Sequence, residues 1–222
     1  MNLVIFDIDG TIVDSVSADD QCFIQSFEDL HNIDLSQSDW HDFRHVTDSG
    51  LTIEIFETHF GRKPLDEEVQ ELKDYFYKLL TQRSNDITEI RGAKNTLTSF
   101  IDNPKISIAF ATGGWRETAL LKLSTIGFEL GDLILTSANE HFDRSEITKL
   151  AIDTSLQVEN LDSFETITYI GDGLWDLKTA QRLGINFIGI DYHQNNKLIK
   201  VGAAKVVTDL TDPQKIIEWI DS

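Results

Sequence analysis

Cysteine is all but absent: Cys22 is the one such residue in a chain of 222. No internal disulfide can form, which fits a reducing compartment and leads to the expectation of a cytoplasmic protein. Cys22 itself reads as a small apolar core residue. No run of 18 apolar residues occurs, which excludes a transmembrane helix. The N-terminus has neither a basic stretch nor a cleavable apolar segment, so no signal peptide is expected. Basic residues are scarce, with 19 Lys and Arg against 38 Asp and Glu and a formal net charge of −19. This balance argues against a nucleic-acid backbone or an anionic membrane surface as partner. It also sets a requirement, because an anionic substrate would need local cations, such as a divalent metal and one or two basic side chains. Internal repeats, low-complexity segments and Pro-rich linkers are lacking as well.

What is present begins with the first dozen residues. Leu3 to Phe6 is apolar and rich in β-branched and aromatic residues, the pattern of a strand buried on both faces of a parallel sheet. It ends in two carboxylates, Asp7 and Asp9, followed by Gly10, which frees the backbone to leave the strand sharply, and the hydroxyl of Thr11. Buried charge is costly without a partner. In open α/β sheets, ligands sit outside the carboxyl ends of strands, where Asp7 and Asp9 would lie.

From Ser15 to about Thr88 the pattern is helical, without a strand signal. Ser17 is a candidate cap with Asp20 three positions on, and Phe23, Phe27 and Leu30 share a face. Trp40 and Phe43 mark a short helix, Thr52 to Phe60 a third segment ending near Gly61, and Asp66 to Gln82 a clear amphipathic helix. Thr47 to Gly50 reads as a polar turn. Residues 16–88 are therefore expected to form a small all-helical domain inserted into a core of residues 1–15 and 89–222. In that core, strands are expected at 106–112, 133–136, 166–170, 187–190 and 205–207. They alternate with helices at 93–102, 115–125, 145–156, 174–183 and 213–220. This specifies an α/β fold, a Rossmann-like parallel sheet with helices on both faces. Right-handed crossovers bring the strand ends to one edge, and with them Asp7, Asp9, Thr112, Asp172 and Asp176. Converging carboxylates raise one another's pKa, a conflict that a hard cation such as Mg²⁺ resolves.

These residues match a known pattern. Asp7-Ile-Asp-Gly-Thr-Ile-Val-Asp-Ser15 resembles the first motif of the haloacid dehalogenase-like hydrolases, Thr112 after its strand resembles the second, and Gly171-Asp-Gly-Leu-Trp-Asp176 the fourth. The resemblance is nearest to the phosphoglycolate-phosphatase-like branch with a helical cap of the C1 type. It implies a hydrolase for small phosphomonoesters, with Asp7 as nucleophile carrying an aspartyl-phosphate and Asp9 as general acid and base. Thr112 and the Gly113 amide would hold phosphate oxygens, with Thr11 also on the substrate. Asp7, the main-chain carbonyl of Asp9, Asp172 and Asp176 would serve Mg²⁺. An acid at position 9 favours expelling an alkoxide. The insert resembles the family's cap, which closes over the site and selects the substrate, and Thr47 and Asp48 are its candidate contacts. The third motif is usually a Lys followed by Pro, a pair missing here. Arg144 is preferred over Lys149 for that role. Trp175, between two candidate aspartates, is a candidate pocket wall.

Two alternatives stay open. A phosphomutase of the β-phosphoglucomutase kind would share Asp7, Asp9 and the cap. A non-catalytic binding module on the same fold would have little reason to keep all five motif residues. The expected partner is a small phosphorylated metabolite; the oligomeric state is left open between monomer and homodimer.

Overall fold

The N-terminal apolar run forms strand β1 (Asn2–Phe6), every residue of it buried. In this computed structural model, which describes residues 1–221, its side chains alternate between two packed layers. Leu3 and Ile5 join Ala109, Ala111, Ile147 and Tyr169 on one face. Val4 and Phe6 point to the other face, where the Phe6 ring lies 5.9 Å from Phe100 and 6.1 Å from Phe110. Burial on both sides explains the absence of any polar alternation in β1.

After a tight turn, β2 (Val13–Asp14) leads into helices α1 (Val16–His31), α2 (Asp48–Phe60) and α3 (Asp66–Gln82). The chain returns through β3 (Thr88–Glu89), which pairs antiparallel with β2. Then come α4 (Ala93–Ile101), β4 (Ile106–Ala111), α5 (Arg116–Thr125), β5 (Ile134–Thr136), α6 (Arg144–Glu159), β6 (Ile167–Gly171), α7 (Leu174–Leu183), β7 (Asn186–Ile190), α8 (Lys197–Lys200), β8 (Val206–Val207) and α9 (Pro213–Ile220). The six-stranded sheet has the order β5-β4-β1-β6-β7-β8, and all its pairings are parallel. The chain builds β4 and β5 on one side of β1, then returns to build β6, β7 and β8 on the other. Strand order reverses beside β1, so the crevice that parallel sheets use for ligands opens at its carboxyl end. Among the described residues, no helix is long and apolar enough to cross a membrane.

The doubly wound sheet and the helical run between β2 and β3 follow the sequence pattern. Several local expectations are corrected. The β2–β3 ribbon was not expected, because two residues per strand carry no periodicity. Helix α8 has four residues and is likewise too short to register. Helix α2 begins at Asp48, not Thr52, so the expected turn at Thr47 to Gly50 is its first turn. Thr47 is the N-cap, and its side chain accepts from Gly50 N. Ser17 does not cap α1; Ser15 occupies that position, without a side-chain cap bond. Trp115 precedes α5 in extended conformation instead of opening it.

Candidate active site

Asp7 follows β1, Thr112 follows β4 and Asp172 follows β6, so adjacent parallel strands bring the three to one edge. Close approach depends on the residues beside them. Gly10 has φ +72°, and a Cβ there would sit 2.5 Å from Asp172 Cγ. A Cβ on Gly113 would sit 2.2 Å from Arg144 Nη2. Neither position has room for a side chain.

These residues line a cavity of about 170 Å³ between the sheet edge and the helical insert. Asp7, Asp9, Thr112, Gly113, Gly114, Arg144, Asp172 and Lys197 form its floor. Val16, Asp19, Asp20, Phe23, Trp40, Val46, Thr47, Asp48 and Leu51, all between β2 and β3, form the opposite wall, with Trp175 at the side. Thr112 is buried, and its Oγ1 accepts from Gly114 N at 3.1 Å.

Arg144 opens α6, with Asp143 as N-cap accepting from Ser145 N. Its Nη1 lies 3.2 Å from Asp7 Oδ1 and 2.9 Å from Asp176 Oδ1, and Nη2 donates to Val46 O at 3.2 Å. Burial alone would lower the Arg144 pKa, but the carboxylates of Asp176 and Asp7 outweigh it, and the guanidinium stays charged. Lys149, the competing cation, is exposed on the same helix, away from the cavity. Four residues lie between the two, and only the first reaches the sheet edge.

Asp7, Asp172 and Asp176 each offer a carboxylate oxygen within 4.8 Å of the others. Burial, and then Asp176, raises the Asp7 carboxyl well above the usual range. Burial pushes Asp172 up to about 6 even though Lys197 Nζ lies 3.0 Å from its Oδ2. Asp176 is fully buried behind the cavity, held by Gly173 N at 2.8 Å and by Arg144. Three hard oxygen donors without nitrogen or sulfur suit Mg²⁺ and not a thiophilic metal. The carboxylate of Asp9 stands outside this trio, so any part it takes in metal binding would fall to its main chain. Its Oδ1 accepts from Ser15 Oγ at 2.5 Å and pairs with Lys122 Nζ at 2.7 Å.

Thr11 is not brought to the cavity. Ile12 N and Val13 N both donate to Ile8 O, and this tight turn carries the Thr11 side chain into the interior. There its Oγ1 has no hydrogen-bond partner among the described residues. Thr47 and Asp48 do reach the cavity, where they also join the insert to the core. Asp48 N donates to Gly113 O at 2.8 Å, Asp48 Oδ2 accepts from Trp115 N at 2.7 Å, and Thr47 Oγ1 donates to Phe142 O at 2.7 Å. Burial pushes Asp48 up to about 6.

Sequence reasoning missed Lys122, Lys197, Ser15, Tyr169 and Asp19. Tyr169 reads as a strand core residue, yet its OH lies 3.3 Å from Asp176 Oδ1. Lys197 sits in a loop-like stretch. Lys122 carried one available signal: it falls on the inward stripe of α5 with Thr118, Ala119 and Leu123, where a lysine has no solvent to reach.

A family model described as haloacid dehalogenase-like hydrolase matches residues 4–190. Solved structures with the same fold include a hydrolase from Pseudomonas syringae, at 21% identity and TM-score 0.77 over 100% of both chains. CbbY from Rhodobacter sphaeroides, solved in complex with phosphate, is similar at 15% identity and TM-score 0.71 over 95% of each chain. A protein from Lactobacillus plantarum, provisionally described as a phosphoglycolate phosphatase, is similar at 18% identity and TM-score 0.65 over 97% of each. A search of curated proteins finds no match. With the family model spanning most of the chain and its motif residues gathered at one sheet edge, the chain belongs to the haloacid dehalogenase-like hydrolases.

Proposed function

We propose that the protein is a Mg²⁺-dependent phosphatase for a small phosphomonoester, acting through an aspartyl-phosphate on Asp7, with residues 16–88 as a cap over the core. The observation that carries this reading is the position of Asp7: a carboxylate at a strand end, lining the cavity, 3.2 Å from a buried guanidinium, with Asp9 on the same cavity. CbbY, a structure of the same fold solved in complex with phosphate, supports phosphoryl chemistry on this fold.

The chemistry follows from these groups. Asp7 Oδ attacks phosphorus as the ester P–O bond breaks. Asp9 in its acid form gives its proton to the departing alkoxide, and the alcohol leaves. Asp9, now a carboxylate, takes a proton from water as the water oxygen attacks phosphorus. The Asp7–phosphorus bond breaks, inorganic phosphate leaves, and both aspartates return to their starting states. Arg144 neutralises charge on the phosphoryl oxygens, and the Thr112 hydroxyl and Gly113 amide orient them. Asp7, Asp172 and Asp176 would hold Mg²⁺, whose positive charge offsets the repulsion between a carboxylate nucleophile and an anionic phosphate.

The opposite wall favours hydrolysis over the mutase alternative. Its side chains are Phe23, Trp40 and Leu51 with the carboxylates of Asp19, Asp20 and Asp48, and the cavity's basic residues, Arg144 and Lys197, both lie on the floor. A mutase must also bind a second phosphate at the cap, and among the described residues this wall offers no cation to receive one. The substrate class is therefore the phosphate ester of a small alcohol without a second anionic group. Its expected setting is the cytoplasm, without a nucleic-acid or membrane partner.

The first test is phosphate release from a panel of small phosphomonoesters. Esters of neutral or amino alcohols turn over with Mg²⁺, those carrying a carboxylate or second phosphate turn over poorly, and chelation by EDTA silences all. Full activity in chelator rejects the metal; preference for bisphosphates rejects the reading of the wall.

Metal binding also depends on pH. In the metal-free protein Asp7 is raised and Asp172 stands at about 6. Both hold protons in mild acid that a cation must displace. Mg²⁺ affinity accordingly falls as pH drops through about 6, and binding at pH 6 releases protons. Calorimetry in buffers of different ionisation enthalpy measures the release; equal heats across buffers contradict it.

A further inference from the structure

Lys122 is fully buried and takes no part in the steps above. It lies in α5 on the core, about two turns beyond Trp115. Its Nζ is 2.7 Å from Asp9 Oδ1 and also pairs with Asp19 of α1, on the opposite wall of the cavity. The two carboxylates outweigh burial and hold the ammonium charged. A lysine rarely occupies a site without solvent unless its charge is used.

The arrangement separates the two oxygens of Asp9. Oδ1 is held by the Ser15 hydroxyl at 2.5 Å and by Lys122. Oδ2 has no hydrogen-bond donor among the described residues and lies on the Gly114 side, within 3.6 Å of where a Cβ on that glycine would stand. One oxygen is tied back and the other is left toward the cavity floor beside Thr112.

We propose that Lys122 is a positioning residue for proton transfer: together with Ser15 it fixes the Asp9 carboxyl so that Oδ2 alone meets the leaving oxygen, and through Asp19 it makes that orientation depend on the seating of α1. The proposal rests on the phosphatase reading. Without Lys122, the Asp9 carboxyl turns about its χ angles, and proton delivery loses its geometry.

The test uses a property that a merely structural lysine would not alter, the dependence of the loss on the leaving group. An alkoxide cannot depart without a proton, whereas p-nitrophenolate departs with little help. Lys122→Met is assayed with Mg²⁺ on p-nitrophenyl phosphate and on the best alkyl phosphomonoester of the wild-type panel. Asp9 also serves the later hydrolysis of the aspartyl-phosphate, a step shared by all esters, so the readout is first-turnover release of the leaving group. The expected result is a fall of about 100-fold or more on the alkyl ester and less than about fivefold on p-nitrophenyl phosphate. An equal loss on both esters, or no loss on either, overturns the proposal. Removing the lysine also strands two half-buried carboxylates, so Ser15→Ala, which takes away the other anchor of Oδ1 without stranding a charge, is measured beside it. The expectation for Ser15→Ala is the same selectivity at smaller size, and a uniform effect there counts equally against the idea. Wild-type enzyme that releases phosphate from neither ester defeats the phosphatase reading itself, an outcome distinct from failure of the Lys122 assignment.

Discussion

Asp7→Asn removes turnover by on the order of 10⁴-fold or more, which corresponds to roughly 5 kcal/mol of transition-state stabilisation. An amide matches the carboxylate in shape but does not attack phosphorus. The variant also relieves strain in the fold. Asp7 is buried beside Asp176 and Asp172, and burial together with their charges raises its pKa in the metal-free protein. Asparagine removes one of three crowded negative charges while keeping a group that fits the same space. Thermal unfolding of metal-free Asp7→Asn is therefore expected at or above the wild-type temperature. Loss of activity with retained stability separates chemistry from folding, whereas near-normal turnover in the variant removes Asp7 as the nucleophile.

Arg144→Ala carries the second large effect, and here activity and stability fall together. The guanidinium is shared between Asp7 Oδ1 and Asp176 Oδ1 in a largely buried region. Taking away one member of a buried ion group leaves the others uncompensated, at a cost of about 3–5 kcal/mol. Turnover falls by on the order of 10²–10³-fold, the range seen when a single group stabilising charge at the reacting centre is lost. Arg144→Lys restores part of the charge but not the fork that reaches Asp7, Asp176 and Val46 O together, so its activity lies between the two. Lys149→Ala, five residues along the same helix and exposed, changes stability by less than about 0.5 kcal/mol. Kinetics and melting of the three variants check the assignment; a greater loss in Lys149→Ala than in Arg144→Ala reverses it.

How much of this was legible in the sequence depended on the range of the interaction. The sheet could be read because β1 and β4 are apolar except for Asn2 and Ser107 and end abruptly in polar residues. Asp7, Thr112 and Asp172 could be placed together from that alone, because parallel strands put their carboxyl ends on one edge. Arg144 was legible as a cation at a helix start, but its choice over Lys149 needed the position of α6 against the sheet. Lys122 was missed because one lysine among apolar neighbours reads as a snorkelling surface residue until the helix is known to be enclosed. Thr11 was assigned to the site because its neighbours belong there. A turn fixed by hydrogen bonds to Ile8 O sends it the other way, and side-chain direction in an irregular turn has no period to read. Asp48 was expected in a loose turn and stands instead in the first turn of a helix, because capping by Thr47 is decided by backbone geometry four residues before the apolar pattern begins.

The short ribbon of Val13–Asp14 against Thr88–Glu89 has a mechanical consequence. A block of helices joined to a core by one strand can swivel in any direction. Joined by two strands that are hydrogen-bonded side by side, it behaves as a leaf on a flat spring, compliant across the ribbon and stiff within its plane. If residues 16–88 act as the proposed cap, swing in that single direction moves Asp19, Asp20, Trp40 and Asp48 together relative to Asp7. The same stroke that widens the mouth would part Asp48 N from Gly113 O, Thr47 from Phe142 O and Asp19 from Lys122. The first two are hydrogen bonds with a net worth of roughly 1 kcal/mol each, while the third is an ion pair whose ammonium is fully buried. On the phosphatase reading proposed above, admission of the ester and its enclosure are then one motion along one coordinate.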